Sequence, residues 1–355
     1  MKRSTGNRRS RWPSLVVVSI STILGLLLAE WVVLTWDLDW RYIEKLLYYQ
    51  TTDWEAHRAV SDPRLMYGLR PGRYEFPDGH IVNVNALGVR GPERSVQKPE
   101  GVFRIICLGG SNVYGAELND EETWPALLEQ RLNESCPGRF EVWNMGVCAY
   151  VGSQIARRAR QAGEQYDPDL LILALSNRGG RAFLWGAPVE PYFDAAPWMW
   201  QKLLPEYYLK QPFFLSYSSR IWLARHWRTF RFGFLAIKAA QEDFHHWTDD
   251  FHEHETENIY SIRNFLADEV GKVCVFQCPA KRCRELDISG YMEGSDAPLF
   301  SLNADDLPDE YRLIHPPAYV MEWYADSVAG WLAENGLIPA ECGIGEAVRE
   351  ERDCI

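Results

Sequence analysis

A chain of 355 residues with 46% hydrophobic and 24% charged residues has a globular composition, enough for one large or two modest domains. That balance excludes a disordered, collagenous, coiled-coil or polytopic membrane chain. The net charge of −12 argues against broad nucleic-acid binding, which needs a basic surface.

Charge is uneven along the chain. Residues 1–11 carry Lys2, Arg3, Arg8, Arg9 and Arg11 and no acid, which leaves −17 for the rest of the −12 total. Leu15 to Leu34 follows, nearly all apolar and interrupted late by Glu30. Twenty helical residues rising about 1.5 Å each span one bilayer core of roughly 30 Å. Trp12 stands at one edge and Trp31, Trp36 and Trp40 at the other, as in an aromatic belt. The basic flank places the N-terminus in the cytoplasm, and Glu30 is expected to reach the headgroups. Leu27-Leu28-Ala29 is a poor cleavage site, so the span length favours a signal anchor over a cleaved leader. All eight cysteines follow this segment, and some are expected to pair in an oxidising compartment, with no connectivity assigned. Cys107 and Cys274 sit in apolar runs and read as buried thiols.

Residues 37–100 read as an irregular lead-in packed on the core, with one short strand at Ile81–Val84. Beyond it, short apolar runs bounded by Gly, Pro or Asn alternate with helical spacing. Strands are expected at 103–108, 140–144, 170–175 and 272–277, and helices at 123–132, 153–165 (capped by Ser153) and 319–334. This alternation predicts a parallel α/β sheet with helices on both faces, whose ligand site lies beyond the carboxyl ends of the strands.

At those ends stand Gly109-Gly110-Ser111-Asn112, Asn144-Met145-Gly146, Ser176-Asn177 and, late in the chain, His315-Pro316. A Ser reached through two glycines at the start of a helix suits a nucleophile, though such a turn also cradles phosphate or merely ends a strand. The order Ser, Gly, Asn, His resembles the SGNH/GDSL hydrolase superfamily. Ser111 matches the family's first motif in Ile106-Cys-Leu-Gly-Gly-Ser-Asn-Val-Tyr-Gly115, Gly146 the second, Asn177 the third and His315 the last. The segment Asn83-Val-Asn-Ala-Leu-Gly-Val-Arg-Gly-Pro92 is similar to lead-ins of membrane-anchored members. The resemblance covers roughly residues 65–180 and 270–335.

That resemblance implies a flavodoxin-like three-layer α/β/α fold with a parallel sheet (the SGNH hydrolase fold), and ester chemistry. Ser111 would attack an acyl carbonyl, and His315 would take its proton and return it to the leaving alcohol. The N–H groups of Ser111 and Gly146 and the Asn177 amide would hold the oxyanion. Two positions depart from the family pattern. Gly110 replaces the usual Asp of the first motif. Arg312 stands three residues before His315, where the pattern has Asp. Three readings stay open: an acid on the preceding loop, Asp309 first, orients the imidazole; a backbone carbonyl does so; or the site is degenerate.

Phe183 to Phe251 holds 19 of the 47 aromatic residues, so they concentrate in one insertion. Within it, Lys210 to Ala240 carries six cations and no acid, with Leu223, Trp227, Phe230, Phe234 and Ile237 at helical spacing. This amphipathic basic helix reads as a lid packed on the core or as a contact with the membrane surface or acyl substrate. Glu242 to Glu257 follows with seven acids and reads as a solvated stretch; its His245, His246, His252 and His254 lack the spacing of a structural metal site.

The expected organisation is thus a basic tail at 1–11, a transmembrane signal anchor at 12–36, a lead-in at 37–100, an SGNH-like domain at 101–336 with a helical aromatic-rich insertion at about 180–265, and a tail at 337–355. The expected activity is that of an extracytoplasmic, periplasmic or extracellular, serine esterase on an envelope glycan or lipid ester. An O-acyltransferase on a polysaccharide and an inactive binding or scaffold domain are the alternatives. Neither cofactor, metal nor nucleic acid is expected; the partners are an acyl ester, the membrane through the N-terminal helix, and an interfacial contact of residues 210–240.

Overall fold

The structure, a computed structural model, describes residues 12–36, 38, 53–60, 62, 64–65, 67–176, 216, 219, 222–223, 226–233, 251–269, 272–279, 287–302 and 315–342. The chain divides into two compact units, Met1–Leu47 with Pro197–Phe244, and Tyr48–Ala196 with His245–Ile355.

In the first unit, helix α1 (Trp12–Trp36) is apolar all round, and Leu15–Trp36 is long and apolar enough to cross a membrane. Its late residues Ala29, Glu30, Val32 and Val33 are at least half covered, while Leu24, Leu27 and Leu28 are exposed. Glu30 explains this. Its carboxylate accepts the backbone N–H of Arg228 at 3.0 Å and of Thr229 at 2.7 Å, so it engages the insertion rather than reaching out as expected. The expected continuous basic helix is interrupted at Trp227, and residues 228–233 form a separate helical segment. Glu30 supplies acceptors for the donors that a new helix start leaves unpaired.

The second unit is built on a five-stranded, all-parallel sheet. Two antiparallel hairpins precede it, β1 (His57–Ala59) with β2 (Tyr67–Leu69) and β3 (Gly72–Glu75) with β4 (Ile81–Val84). The lead-in is therefore more regular than its sequence suggests. The sheet comprises β5 (Phe103–Gly109), β6 (Phe140–Asn144), β7 (Leu170–Leu175), β8 (Val273–Gln277) and the unforeseen β9 (Leu299–Ser301). Their order is β6-β5-β7-β8-β9. In chain order this is 2-1-3-4-5, a common doubly wound order, whose switch point falls between β5 and β7.

Helices cover the sheet. On one face α3 (Trp124–Ser135) and α7 (Ala318–Glu334) pack over Ile105, Cys107, Ile172, Cys274 and Phe276 through Trp124, Leu128, Val320, Tyr324 and Val328. Alternating strand residues Ile106, Leu108, Leu171 and Leu173 are buried too, which accounts for the continuous apolar runs of the central strands. Helix α4 (Gly152–Tyr166) contacts β5 and β7 and packs with α5 (Phe251–Asp268), which also contacts the short α6 (Ser289–Met292). Helix α4 starts one residue before the expected Ser153, with Val151 in the cap position, and the Ser153 N–H donates to Asn258 Oδ1 at 3.0 Å. The cap reading of Ser153 is therefore corrected: a side chain from α5 serves the helix start instead. Helix α5 begins within the expected solvated acidic stretch, where Thr256 and Glu257 are exposed. Its Ile262, Phe265 and Leu266, beyond the acidic run, bury a stripe that secures it. A disulfide joins Cys136, at the end of α3, to Cys342, beyond α7. Cys107 and Cys274 are buried free thiols, as expected.

Candidate active site

Because all five strands are parallel, their carboxyl ends share one edge, and the Gly109-Gly110-Ser111 and Asn144-Met145-Gly146 motifs gather there. Gly109 ends β5 and Ser111 opens the short helix α2 (Ser111–Tyr114). A Cβ on Gly109 would lie 2.4 Å from Val113 Cγ2 and 2.8 Å from the Ala174 carbonyl oxygen, so only glycine lets α2 fold back over the sheet. Gly110, the departure from the family's Asp, meets only the Tyr150 carbonyl oxygen at 3.5 Å, an ordinary contact. Asn112 reaches across to β8, where its side chain bonds the buried Cys278 thiol; burial pushes that thiol up to about 12, which makes it inert as a nucleophile.

Gly146 follows β6 and lies against the nucleophile turn. A Cβ there would stand 2.3 Å from the Tyr114 backbone nitrogen and 2.7 Å from the Val113 carbonyl carbon. Its N–H donates to Asn144 Oδ1 at 3.1 Å. The expected oxyanion donor is thus engaged by the buried amide of Asn144, which also donates through Nδ2 to the Tyr114 carbonyl at 3.2 Å. Asn177 and Asp309, like Arg312, fall outside the described residues.

His315 precedes α7, with a side chain only 15% exposed. Its Nδ1 lies 3.5 Å from Oε1 of Glu117, an acid from the loop after α2. Ser111 and His315 share no hydrogen bond among the described residues.

The loop 115–118 is held from the lead-in. Arg90, buried, donates through Nη1 to the carbonyls of Tyr114 at 2.7 Å and Gly115 at 2.6 Å, and through Nη2 to that of Leu118. Its Nε donates to Asp120 Oδ1 at 2.8 Å, and its guanidinium lies 4.7 Å from the Tyr114 ring centroid. These charge-assisted hydrogen bonds offset the desolvation cost of burying the guanidinium. Behind it lies a buried polar cluster. Asp53 Oδ2 accepts the Glu117 N–H at 3.4 Å, Asp53 Oδ1 accepts from His80 Nε2 at 2.7 Å, and His80 Nδ1 meets Asp78 Oδ1 at 2.5 Å. Burial pushes the Asp53 carboxyl above its ordinary value, against the attraction of His80. His57 donates Nδ1–H to the Asp53 carbonyl at 2.9 Å, a carbonyl being able only to accept, and burial lowers its pKa to about 4. Among the described residues its Nε2 and the Tyr114 hydroxyl have no hydrogen-bond partner, and their rings are 5.5 Å apart.

Sequence reasoning placed Ser111, Gly146 and His315 but missed Glu117, Asn144, Arg90 and Asp53. Arg90 lay inside the quoted lead-in motif without a role. Nothing local marks Glu117, whose partner His315 is almost 200 positions later. Among the described residues no group of three or more His, Cys, Asp or Glu is placed to hold a metal ion.

Fold and site together define a doubly wound α/β protein with a serine, a histidine and a carboxylate contributed by elements at the carboxyl edge of its sheet. The chain matches no family model and no curated protein.

Proposed function

We propose that this protein is a membrane-anchored serine esterase of SGNH type, acting outside the cytoplasm on an ester of an envelope glycan or lipid. The observation that carries the reading is the carboxylate 3.5 Å from His315 Nδ1, on the very loop that follows Ser111. A histidine with an acid on one nitrogen is a general base in waiting on the other. Ser111 Oγ attacks the acyl carbonyl while His315 Nε2 takes its proton. Collapse of the tetrahedral intermediate breaks the ester C–O bond, and the same proton passes to the departing alcohol. Water, deprotonated by His315, then releases the acid; a sugar hydroxyl in its place makes the reaction an acyl transfer. Backbone N–H groups at Ser111 and Gly146, with the Asn177 amide, serve the oxyanion, and Asn144 must release the Gly146 N–H for this.

The strand order 2-1-3-4-5 supports the flavodoxin-like assignment, since Ser111 then lies at the topological switch point. The Cys136–Cys342 disulfide supports an oxidising compartment for the second unit, and the basic residues before α1 support a cytoplasmic N-terminus. Trp222, exposed in the insertion, and the attachment of residues 228–229 to Glu30 support contact of residues 210–240 with the outer membrane surface.

One observation favours the second reading, an inactive binding domain: the Gly146 N–H is already taken by Asn144. Turnover of p-nitrophenyl acetate, with and without acceptor sugars, and fluorophosphonate labelling of the full chain in detergent separate the two. An esterase loses both in Ser111→Ala and loses most turnover in His315→Ala. Equal, background-level rates in all three proteins, with Ser111 unlabelled, leave the binding domain.

A further inference from the structure

Arg312 occupies the position from which the family pattern supplies an acid to the histidine. We infer that Glu117 takes that part here, as the acid that orients His315. The inference rests on the esterase reading above and deepens it: the carboxylate seen beside His315 is made the acid that catalysis uses, a part which the family pattern gives to the position of Arg312.

Three observations converge on Glu117. The first is its place: Oε1 lies 3.5 Å from Nδ1, the nitrogen that must face an acid if Nε2 is to face Ser111. The second is its backbone. Glu117 sits at φ +67, a left-handed conformation that side chains larger than Asn rarely adopt and that persists only where the surroundings impose it.

The third is what imposes it. Gly115, two residues earlier, turns the chain at φ +81, and a Cβ there would lie 2.4 Å from Thr123 Cγ2. Arg90 holds the carbonyls of Gly115 and Leu118, on either side of Glu117. Asp53 holds the Glu117 N–H, and Asp53 is itself fixed by His80, which rests on Asp78. A loop pinned this thoroughly, in a costly conformation, presents one carboxylate to the histidine. Asp53 and Arg90 act through Glu117 and are positioning residues. The Glu117 side chain is 48% exposed, so its field is screened by water more than that of a buried triad acid.

The test compares Glu117→Gln, Glu117→Asp and Asp309→Asn with the native full-length chain in detergent, reading p-nitrophenyl acetate kinetics and the rate of Ser111 labelling by a fluorophosphonate. Neutralising a buried triad acid costs about 10⁴-fold. For the half-exposed Glu117 the expected loss in Glu117→Gln is about 10²-fold, in kcat rather than KM. Glu117→Asp recovers at least tenfold of it, and Asp309→Asn loses at least tenfold less than Glu117→Gln. A purely structural role would not split kcat from KM in this way or be rescued by the shorter acid. Glu117→Gln within threefold of native, or a larger loss in Asp309→Asn, overturns the proposal while leaving the esterase reading intact. A native protein that neither turns over nor labels at Ser111 overturns both.

Discussion

Acid should unfold the second unit through His57, and the size of the effect follows from its surroundings. The imidazole is buried between Tyr67 and Tyr114, with Nδ1–H on the Asp53 carbonyl and, among the described residues, no partner for Nε2. Charging it there is costly, which is why its pKa falls from 6.5 to about 4. The unfolded chain binds this proton near pH 6.5, whereas the folded chain waits until about pH 4. Stability is thus full above pH 6.5 and is lost as pH falls toward 4. At roughly 1.4 kcal/mol per pKa unit, the loss between pH 7 and pH 4 is about 3 kcal/mol. Asp53 works in the opposite sense, since its carboxyl is raised by burial and favours the folded state at low pH. The comparison must therefore be native against His57→Asn, which keeps a donor for the Asp53 carbonyl and cannot titrate. Urea unfolding of the full chain in nonionic detergent, followed by tryptophan fluorescence at pH 7 and pH 4, gives both slopes. His57→Asn is less stable at pH 7, but its acid-induced loss should be smaller than native by about 3 kcal/mol. Equal losses in the two proteins would refute the argument that His57 is buried uncharged.

Further expectations follow from single contacts. Cys136→Ser opens a bridge spanning 206 positions, so the chain-entropy model predicts a loss of about 5 kcal/mol; denaturant unfolding in the absence of reductant measures it, and alkylation of the unreduced native chain should spare Cys136 and Cys342. Gly146→Ala drives a Cβ into the Tyr114 backbone nitrogen, and overpacking of this kind costs about 1–3 kcal/mol. Since the backbone it displaces is that of α2, Ser111 labelling should slow more than tenfold, while Gly110→Ala, with space for its methyl, labels at close to the native rate. Glu30→Leu removes both acceptors from Arg228 and Thr229, and limited proteolysis in micelles should then cut residues 216–233 faster than in the native protein.

Much of the second unit was legible before its structure. The limits of β6 and β7 match the sequence reading to the residue: the central β7, buried throughout, is written as an unbroken apolar run, and the edge strand β6 is closed by Asn144. Helices α3, α4 and α7 were placed within a few residues by their spacing. Strand β9 escaped because three half-exposed residues at a sheet edge carry no such run. Helix α5 was obscured by the acids at its start, whose charge outweighed the apolar stripe beyond it. In the lead-in β4 was read to the residue, while β1, β2 and β3 were hidden by their shortness, at three or four residues a strand.

What the sequence by itself determined was the kind of protein: an apolar span behind a basic tail, then an alternating α/β chain with Ser111, Gly146 and His315 at strand and helix ends. Those are local properties, carried by periodicity and by residue types that only certain turns tolerate. Tertiary structure alone decided the partners. Glu117 meets His315, Arg90 grips the loop behind Ser111, Asn144 takes the Gly146 N–H, Glu30 leaves the expected headgroups for Arg228 and Thr229, and Cys136 finds Cys342. Such pairings depend on distances between residues that are tens to hundreds of positions apart. Only the assembly of the sheet with its helices and, for Glu30, the packing of α1 within the first unit set those distances.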